Sequence, residues 1–172
     1  MIDFTVPGQP QGKGRPRVGK IGQHARLFTP GKTVAYEGLI ALAARQAMRG
    51  AEPLTGPCQV TLDIVCQVPA SWSQRKQAAA IAGSLLPITK PDVDNVEKAI
   101  FDGLNGVAWR DDCQVVRVIK GKRYGATPGV HVSIVAAEGA WWHQQTEATL
   151  PLDLPEPVAP QRESVLSTDW LA

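Results

Sequence analysis

The segment that most constrains the fold is Gln59–Val68, in which apolar and polar side chains alternate. The apolar members of the alternation are Val60, Leu62, Ile64, Cys66 and Val68. A period of two residues places one set of side chains on each face of an extended strand. The segment therefore predicts a half-buried β-strand, which requires neighbouring strands and a layer that covers its apolar face.

Further strand and helix patterns on both sides of this segment define the rest of the predicted domain. The other predicted strands are Ile2–Val6, Ala25–Thr29, Gln114–Tyr124 and Val130–Ala137. The predicted helices span 29–49, 71–82 and 93–104, and the first of them has Thr29 as its cap and Pro30 as its first residue. This order predicts an α/β (α+β) fold: a single compact domain over residues 1–139, with a small mixed sheet of about four to five strands and about three helices.

The formal net charge of +2 over 172 residues hides an uneven distribution of charge along the chain. Residues 1–50 contain eight basic and two acidic side chains, whereas residues 138–172 contain six acidic side chains and one arginine. The chain up to residue 137 consequently carries a net charge of +7. This asymmetry indicates contact with nucleic acid together with an acidic tail.

Residues 140–172 differ from the rest of the chain in composition as well as in charge. The run LPLDLPEPVAPQRESV, which begins at Leu150, contains four prolines and has neither a helical nor a strand period. Proline lacks a backbone N–H and disrupts both helix interiors and sheet ladders. We therefore expect an acidic, proline-rich C-terminal tail that is extended or disordered.

Several classes of protein are not expected. No stretch of the sequence approaches the ~18 consecutive apolar residues of a membrane span, and the N-terminus lacks the pattern of a secretory signal. The three cysteines, Cys58, Cys66 and Cys113, have no CxxC spacing, which argues against a disulfide framework and against a cysteine zinc site. We therefore expect a cytoplasmic protein without membrane contact.

The residues that indicate chemistry form an acidic cluster at and after the start of the helix predicted over 93–104. Asp92 and Asp94 fall at its first turn, where carboxylates interact favourably with the helix dipole. Asp94, Lys98 and Asp102 follow one another at intervals of four residues and share one face of the helix. Because capping needs only one acid, the additional carboxylates favour a function beyond capping.

A second acidic pair, Asp111-Asp112, precedes a predicted strand that could return beside the helix. Two or three carboxylates with water molecules are typical ligands of Mg²⁺, which beside a phosphodiester can generate the nucleophile and stabilise the leaving oxygen. A nearby lysine can offset charge on the phosphoryl oxygens. Structural explanations also fit: Asp92 as an N-cap, Asp94 and Lys98 as an exposed ion pair, and the second pair as turn residues. Spacing alone leaves both interpretations open.

A longer pattern around these residues resembles a known family. The run KPDVDNVEKAIFDGLNGVAWRDDCQVV, residues 90–116, resembles the signature of the RusA family of Holliday junction resolvases, found in phages and prophages. It contains, in order, D-x-D-N, a lysine three positions after the asparagine, an F-D-x-L segment and D-D-x-Q-V. The runs GKGRPR and FTPGKTVAYE near the N-terminus are also similar to phage members. The resemblance covers residues 1–137 and leaves out the tail.

The resemblance implies a Mg²⁺-dependent endonuclease, with Mn²⁺ as a substitute, that acts as a homodimer on four-way junctions and related branched DNA in recombination and repair. Asp92, Asp94 and Asp112 match the metal-binding aspartates of the family, and Lys98 matches its catalytic lysine. Asp102 and Asp111 also fit the signature. We expect supporting roles for these two residues.

The basic side chains near the N-terminus are the candidate DNA contacts. Gly8 to Gly22 is predicted to be a glycine-rich basic loop, and its Lys13, Arg15 and Arg17 could clamp phosphates. Contacts of this kind position a duplex without reading its bases. A solvated loop is the alternative.

Two other groups of basic residues belong to the same prediction. In the best-known family members a run of arginines leads into the first aspartate, whereas here only Lys90 does, and it is a further candidate DNA contact. Lys120, Lys122 and Arg123 on a late strand could extend the basic surface, with a solvated strand end as the alternative.

Two functions from other classes remain open at this point. The first is a non-catalytic DNA-binding module of the same fold in phage replication. The second places the function in the acidic tail, which could bind a protein partner or compete with DNA for the basic loop.

Overall fold

A computed structural model of the chain describes residues 1–15, 17–21 and 24–137, and for residues 17, 19–21 and 24–28 it describes the backbone alone. The elements in chain order are β1 (Ile2–Pro7), β2 (Arg17–Ile21), β3 (His24–Phe28), α1 (Gly31–Met48), β4 (Cys58–Gln67), α2 (Gln74–Ile81), α3 (Val93–Leu104), a 3₁₀ turn (Asp112–Gln114), β5 (Val115–Gly125) and β6 (Gly129–Ala136). The predicted tail over 140–172 lies outside the described residues, so its conformation stays a prediction.

The main sheet has four strands in the order β1-β6-β4-β5. β6 pairs antiparallel with both β1 and β4, whereas β4 and β5 run parallel. The parallel pair requires a crossover, which α2 and α3 supply between β4 and β5. A mixed sheet with three helices confirms the predicted α+β fold.

The core lies between the apolar face of the sheet and the helices. The alternation first seen on β4 buries Val60, Leu62 and Ile64, while the polar residues between them stay partly exposed. α1 packs against α3 and β1, and α3 packs against β5. The apolar stripe of α3, formed by Val96, Ile100 and Leu104, is fully buried. The outer face of α3 is therefore left for solvent and ligands.

The prediction of a loop over residues 8–22 is wrong in its second half. β2 begins at Arg17 and pairs antiparallel with β3, Arg17 with Phe28 and Ile21 with His24. A Gly-Gln dipeptide separates the two strands in sequence, a pattern typical of a two-residue hairpin. The high content of glycine and charge in this segment hid that signal.

Two helix starts also differ from the prediction. α1 begins at Gly31 with Pro30 as its N-cap, so Thr29 does not cap the helix. The reason is that Pro30 has an extended ψ of 137°, which excludes it from the first helical turn. α2 begins at Gln74, three residues later than predicted, because Ser73 caps it through a bond from the Lys76 N–H to Ser73 Oγ.

The described residues include all three cysteines and the helices on which the membrane expectation depends. Cys58 and Cys66 are buried free thiols on β4, where burial raises the pKa of both, and Cys113 is exposed. Within the described ranges, no helix has the length and apolar character that a membrane crossing requires.

Candidate active site

The two aspartates of the D-x-D motif lie at the N-terminus of α3, which starts where the sequence predicts. Asp92 is the N-cap residue, and its carbonyl oxygen accepts from the Val96 N–H at 3.1 Å. Its side chain makes no capping bond, so the interpretation of this carboxylate as a mere cap does not hold. Asp92 and Asp94 are both exposed, and neither carboxylate forms an ion pair within the described part of the chain.

Asn95 orients the first of these aspartates. Asn95 Nδ2 donates to Asp92 Oδ2 at 3.2 Å, one helical turn back along the chain. The Asn95 carbonyl oxygen accepts from the Lys13 N–H at 2.8 Å, which joins the N-terminal loop to α3. The sequence prediction left Asn95 without a role, although its fixed place in the D-x-D-N pattern was a signal.

Close backbone contact between the N-terminal loop and the helix N-terminus depends on two glycines. A Cβ added at Gly12 would lie 2.9 Å from Asn95 Cβ, and one at Gly14 would lie 2.6 Å from Thr33 Oγ1. The Gly14 N–H donates to that same hydroxyl oxygen at 3.2 Å. Only residues without a side chain allow the loop to approach this closely.

A groove of about 670 Å³ lies where the loop and the helix N-terminus meet. Its lining comes from two segments, residues 9–15 and residues 90–95, and includes Arg15, Lys90, Asp92 and Asn95. Arg15 and Lys90 are exposed. The structure thus brings together two motifs that are about 80 residues apart in sequence, with cations and a carboxylate in the same groove.

Lys13 also lines the groove, but its ammonium group faces the protein. Nζ forms ion pairs with Asp102 Oδ2 at 2.7 Å on α3 and with Glu37 Oε1 at 2.5 Å on α1. Partial burial lowers the pKa of Lys13, but the two carboxylates outweigh this effect and raise the pKa above its ordinary value. Lys13 is therefore charged and already paired with protein carboxylates, and the supporting role of Asp102 in the reaction stays a prediction.

The remaining basic candidates differ in what their side chains contact. Lys98 is exposed on α3, one turn after Asp94. Lys120 pairs with Glu97, and Arg123 holds Asp63 through two nitrogens, the shortest contact being 2.7 Å. The side chain of Arg17 lies outside the described side chains.

Lys122 makes contacts that the sequence did not predict. Its Nζ donates to the carbonyl oxygens of Thr89 at 2.8 Å and of Pro91 at 3.0 Å. These two carbonyls flank Lys90 and lie just before Asp92. Lys122 thus connects the C-terminal half of β5 to the segment that leads into the D-x-D motif.

The second acidic pair forms a tight turn at the start of β5. Asp111 Oδ1 accepts from the Cys113 N–H at 3.0 Å, and Gln114 Oε1 accepts from the Asp111 N–H at 3.3 Å, which completes a capping box. The bond from Cys113 N–H lowers the pKa of Asp111 below its ordinary range. Asp111 therefore caps this turn, and its supporting role in the reaction stays a prediction.

Trp109, which lies two residues before Asp111, anchors this turn to the core. It is fully buried, its ring packs edge-on against Phe101 at 5.5 Å between centroids, and its Nε1 donates to Asn105 Oδ1 at 2.8 Å. Trp109 is therefore a packing anchor beside the acidic turn.

Asp112 is not gathered with the D-x-D aspartates into a three-carboxylate cluster. Among the described residues, no group of three or more His, Cys, Asp or Glu side chains is close enough to hold a metal ion. Asp112 precedes β5, whereas Lys120, which contacts Glu97 on α3, lies five residues into that strand. At ~3.3 Å per strand residue, this places the turn roughly 16 Å along the strand from that contact. The role of Asp112 stays a prediction.

Comparison with known proteins places this groove in a family context. The family model described as Endodeoxyribonuclease RusA matches residues 7–135. The uncharacterized protein YqaN of Bacillus subtilis (strain 168) is 37% identical over 135 residues, which cover 77% of this chain and 94% of that protein. The matched region contains both lining segments of the groove, the D-x-D-N motif and the acidic turn. The chain therefore belongs to the RusA family of endodeoxyribonucleases.

Proposed function

We propose that this protein is a Mg²⁺-dependent endodeoxyribonuclease that resolves four-way DNA junctions by hydrolysing paired phosphodiesters. The observation that carries the proposal is the groove, in which Arg15 and Lys90 lie beside the exposed Asp92 carboxylate. Cations attract and position a DNA phosphate, and a carboxylate beside them suits a hard divalent ion. Membership of an endodeoxyribonuclease family supports the same reaction.

The donor set at the helix N-terminus fits Mg²⁺ through two carboxylates. Asp92 and Asp94 offer exposed oxygens free of ion pairs among the described residues, and Mg²⁺ in proteins is commonly held by one or two carboxylates together with waters and substrate phosphate. When bound, the ion would supply Lewis-acid activation of the scissile phosphate and of the attacking water. Mn²⁺ is expected to substitute because it accepts the same oxygen ligands.

The protein groups have distinct tasks in this proposal. Asn95 holds the Asp92 carboxylate in one orientation through its 3.2 Å bond. Lys98, one turn from Asp94 and exposed, would neutralise charge that develops on the phosphoryl oxygens. Arg15 and Lys90 would bind flanking phosphates, which positions the scissile bond without reading sequence.

In a homodimer, the second chain would supply a second, equivalent site. A four-way junction needs two symmetric cuts, and a twofold axis between identical chains places two equivalent sites on opposing strands. We expect dimerisation in solution, measured by light scattering, with two cuts per bound junction.

Cleavage of a synthetic four-way junction tests the proposed function. The wild-type protein should cut the junction with Mg²⁺ or Mn²⁺. It should not cut the junction in the presence of EDTA, and it should not cut a linear duplex of the same sequence. Asp94→Asn should bind the junction but cut it at least 100-fold more slowly, the scale of loss that follows removal of one electrostatic catalytic group. Glu52→Gln is the matched control, because Glu52 is an exposed carboxylate outside the groove. Full cutting by both Asp92→Asn and Asp94→Asn would show that the assigned site is wrong.

The same assay separates the enzyme from the second candidate, a DNA-binding module that does not cut. The observation that favours this candidate is that Asp112 is not gathered with Asp92 and Asp94 among the described residues. Tight, salt-dependent junction binding by the wild type, without cutting at any Mg²⁺ or Mn²⁺ concentration, would establish it. A protein partner for the tail over 140–172 is a separate proposal, tested by co-purification with and without that segment.

A further inference from the structure

The segment that delivers Asp92 to the groove has no helix or strand of its own. Between the end of α2 at Ile81 and the start of α3 at Val93, the structure has turns, bends and irregular backbone only. Ile88 and Lys90 are exposed in this connector. Its path near Asp92 must therefore be fixed by contacts from other elements.

Lys122 makes such a contact from the C-terminal half of β5. Its ammonium group donates two hydrogen bonds, to Thr89 O at 2.8 Å and Pro91 O at 3.0 Å, on either side of Lys90. Within the described residues no carboxylate lies within ion-pairing distance of Nζ. The ammonium group therefore interacts with these two carbonyl oxygens and not with a carboxylate. A hydrogen bond from a charged donor to a neutral acceptor is stronger than one between neutral groups.

The position of Lys122 on the strand makes it a rigid anchor. β5 pairs along its length with β4, and Lys122 is in register with Ile64, which is fully buried. Pro91 immediately precedes Asp92, so the carbonyl that Lys122 holds belongs to the peptide unit that ends at the Asp92 nitrogen. Displacing that carbonyl would move the Asp92 carboxylate and the groove wall together.

We propose that Lys122 is a positioning residue that sets the location of Asp92 and Lys90 in the groove, and not a DNA contact. The expected effect of Lys122 on cutting rests on the proposed function. The anchoring of the connector by Lys122 can be tested without any cutting. It also separates Lys122 from Arg15 and Lys90, which line the groove with exposed cationic groups.

Lys122→Met removes the two donated bonds and the charge while it keeps most of the aliphatic side chain. Lys76→Met is the matched control, because Lys76 is an exposed lysine on α2 whose ammonium lies 3.9 Å over the Trp72 ring and outside the groove. Single-turnover cutting of the junction should slow about 10- to 100-fold in Lys122→Met, the cost expected of a small misplacement of reacting groups. The Mg²⁺ concentration for half-maximal cutting should rise as well.

Junction affinity separates positioning from direct phosphate contact. Measured in an Asp94→Asn, Lys90→Met background, where cutting is slow and the Lys90 contact is already absent, Lys122→Met should leave the affinity and its salt dependence within about twofold of the parent. A lost phosphate contact would instead weaken binding and reduce the slope of log affinity against log salt by about 1. That second outcome would overturn the proposal.

Hydrogen–deuterium exchange of a peptide over residues 86–97 supplies the test that does not need activity. Faster exchange in Lys122→Met than in wild type or Lys76→Met is expected, because the connector loses its anchor to the sheet. Lys122→Arg, whose guanidinium can also donate to two oxygens, should restore slow exchange and most of the cutting rate. Unchanged exchange in a folded Lys122→Met protein would overturn the inference about Lys122, whether or not the wild type cuts the junction. Faster exchange in Lys122→Met together with no cutting by the wild type would overturn only the proposed function.

Discussion

Lys13 holds together two carboxylates that belong to different helices. Glu37 on α1 and Asp102 on α3 both contact its ammonium group, with side chains only about a quarter exposed. Without the lysine, these carboxylates would face each other as like charges across the helix pair. The side chain therefore connects the N-terminal loop, α1 and α3 at a single atom.

Replacing Lys13 by Met should lower the free energy of unfolding by about 1–2 kcal/mol at pH 7, the size of bonds to charged groups reduced by partial solvent exposure. Because the folded-state pKa of Lys13 is raised, its stabilisation is fully present below the ordinary value of 10.5 and is lost as the pH rises through the folded-state pKa. Urea unfolding of both proteins from pH 7 to above 10.5 measures this difference.

Lys32→Met provides the comparison for this prediction, because Lys32 is exposed at the start of α1. It should change stability by no more than ~0.5 kcal/mol at any pH. A wild-type advantage over Lys13→Met that stays constant as the pH rises above 10.5 would show that the lysine charge is not its source. Burial also raises the pKa of Tyr36 to about 12, but this titration occurs in both proteins and cancels in the comparison.

At the scale of elements, the groove exists because the loop over residues 9–15 packs directly on the first turn of α3. The Lys13 N–H to Asn95 O bond and the close approach of Gly12 to Asn95 Cβ form this contact. Asn95 in turn orients Asp92, so the loop and α3 are coupled through one residue. A change in the loop backbone should therefore reach the carboxylate without altering it.

Gly12→Ala tests this coupling because the new Cβ would lie 2.9 Å from Asn95 Cβ. Relief of the clash should cost about 1–3 kcal/mol of stability, as for other overpacked sites, and it should slow junction cutting more than it weakens junction binding. Gly38→Ala is the control, since no atom outside the neighbouring backbone of its own helix lies within 4 Å of its added Cβ and it sits in an exposed position of α1. That substitution should raise stability by up to about 1 kcal/mol. Wild-type stability and cutting in Gly12→Ala would contradict the coupling.

Local patterns predicted those elements whose own residues determine them. The limits of α3 follow from its apolar stripe and acidic start, and β4 follows from strict alternation, within one residue at each end. Contacts between distant segments were not predictable in this way. Lys122 and Pro91 are 31 residues apart, and nothing in either local sequence indicates that a lysine on a strand serves two carbonyls of a connector. The sequence therefore predicted the groove's two motifs but not the residues that hold them together.

At the scale of the whole molecule, charge is divided between a basic body and an acidic tail. The chain up to residue 137 carries a net charge of +7, whereas residues 138–172 carry −5. Within the body, several cations are neutralised internally, as Lys13, Lys120 and Arg123 show. Arg15 and Lys90 are among the exposed basic side chains that form no ion pair within the described residues.

Deletion of residues 140–172, which removes five acidic side chains and one arginine, tests whether the tail competes with DNA for this basic surface. If it does, the truncated protein should bind a four-way junction several-fold more tightly at low salt. The gain should shrink as salt rises, because exposed charges further apart than the Debye length of ~10 Å at 0.1 M are screened. A variant in which residues 140–172 are replaced by a neutral Gly-Ser segment of equal length controls for the volume of the tail. It should bind the junction as tightly as the deletion variant does. Equal affinity of full-length and truncated protein at low salt would exclude competition between the tail and DNA.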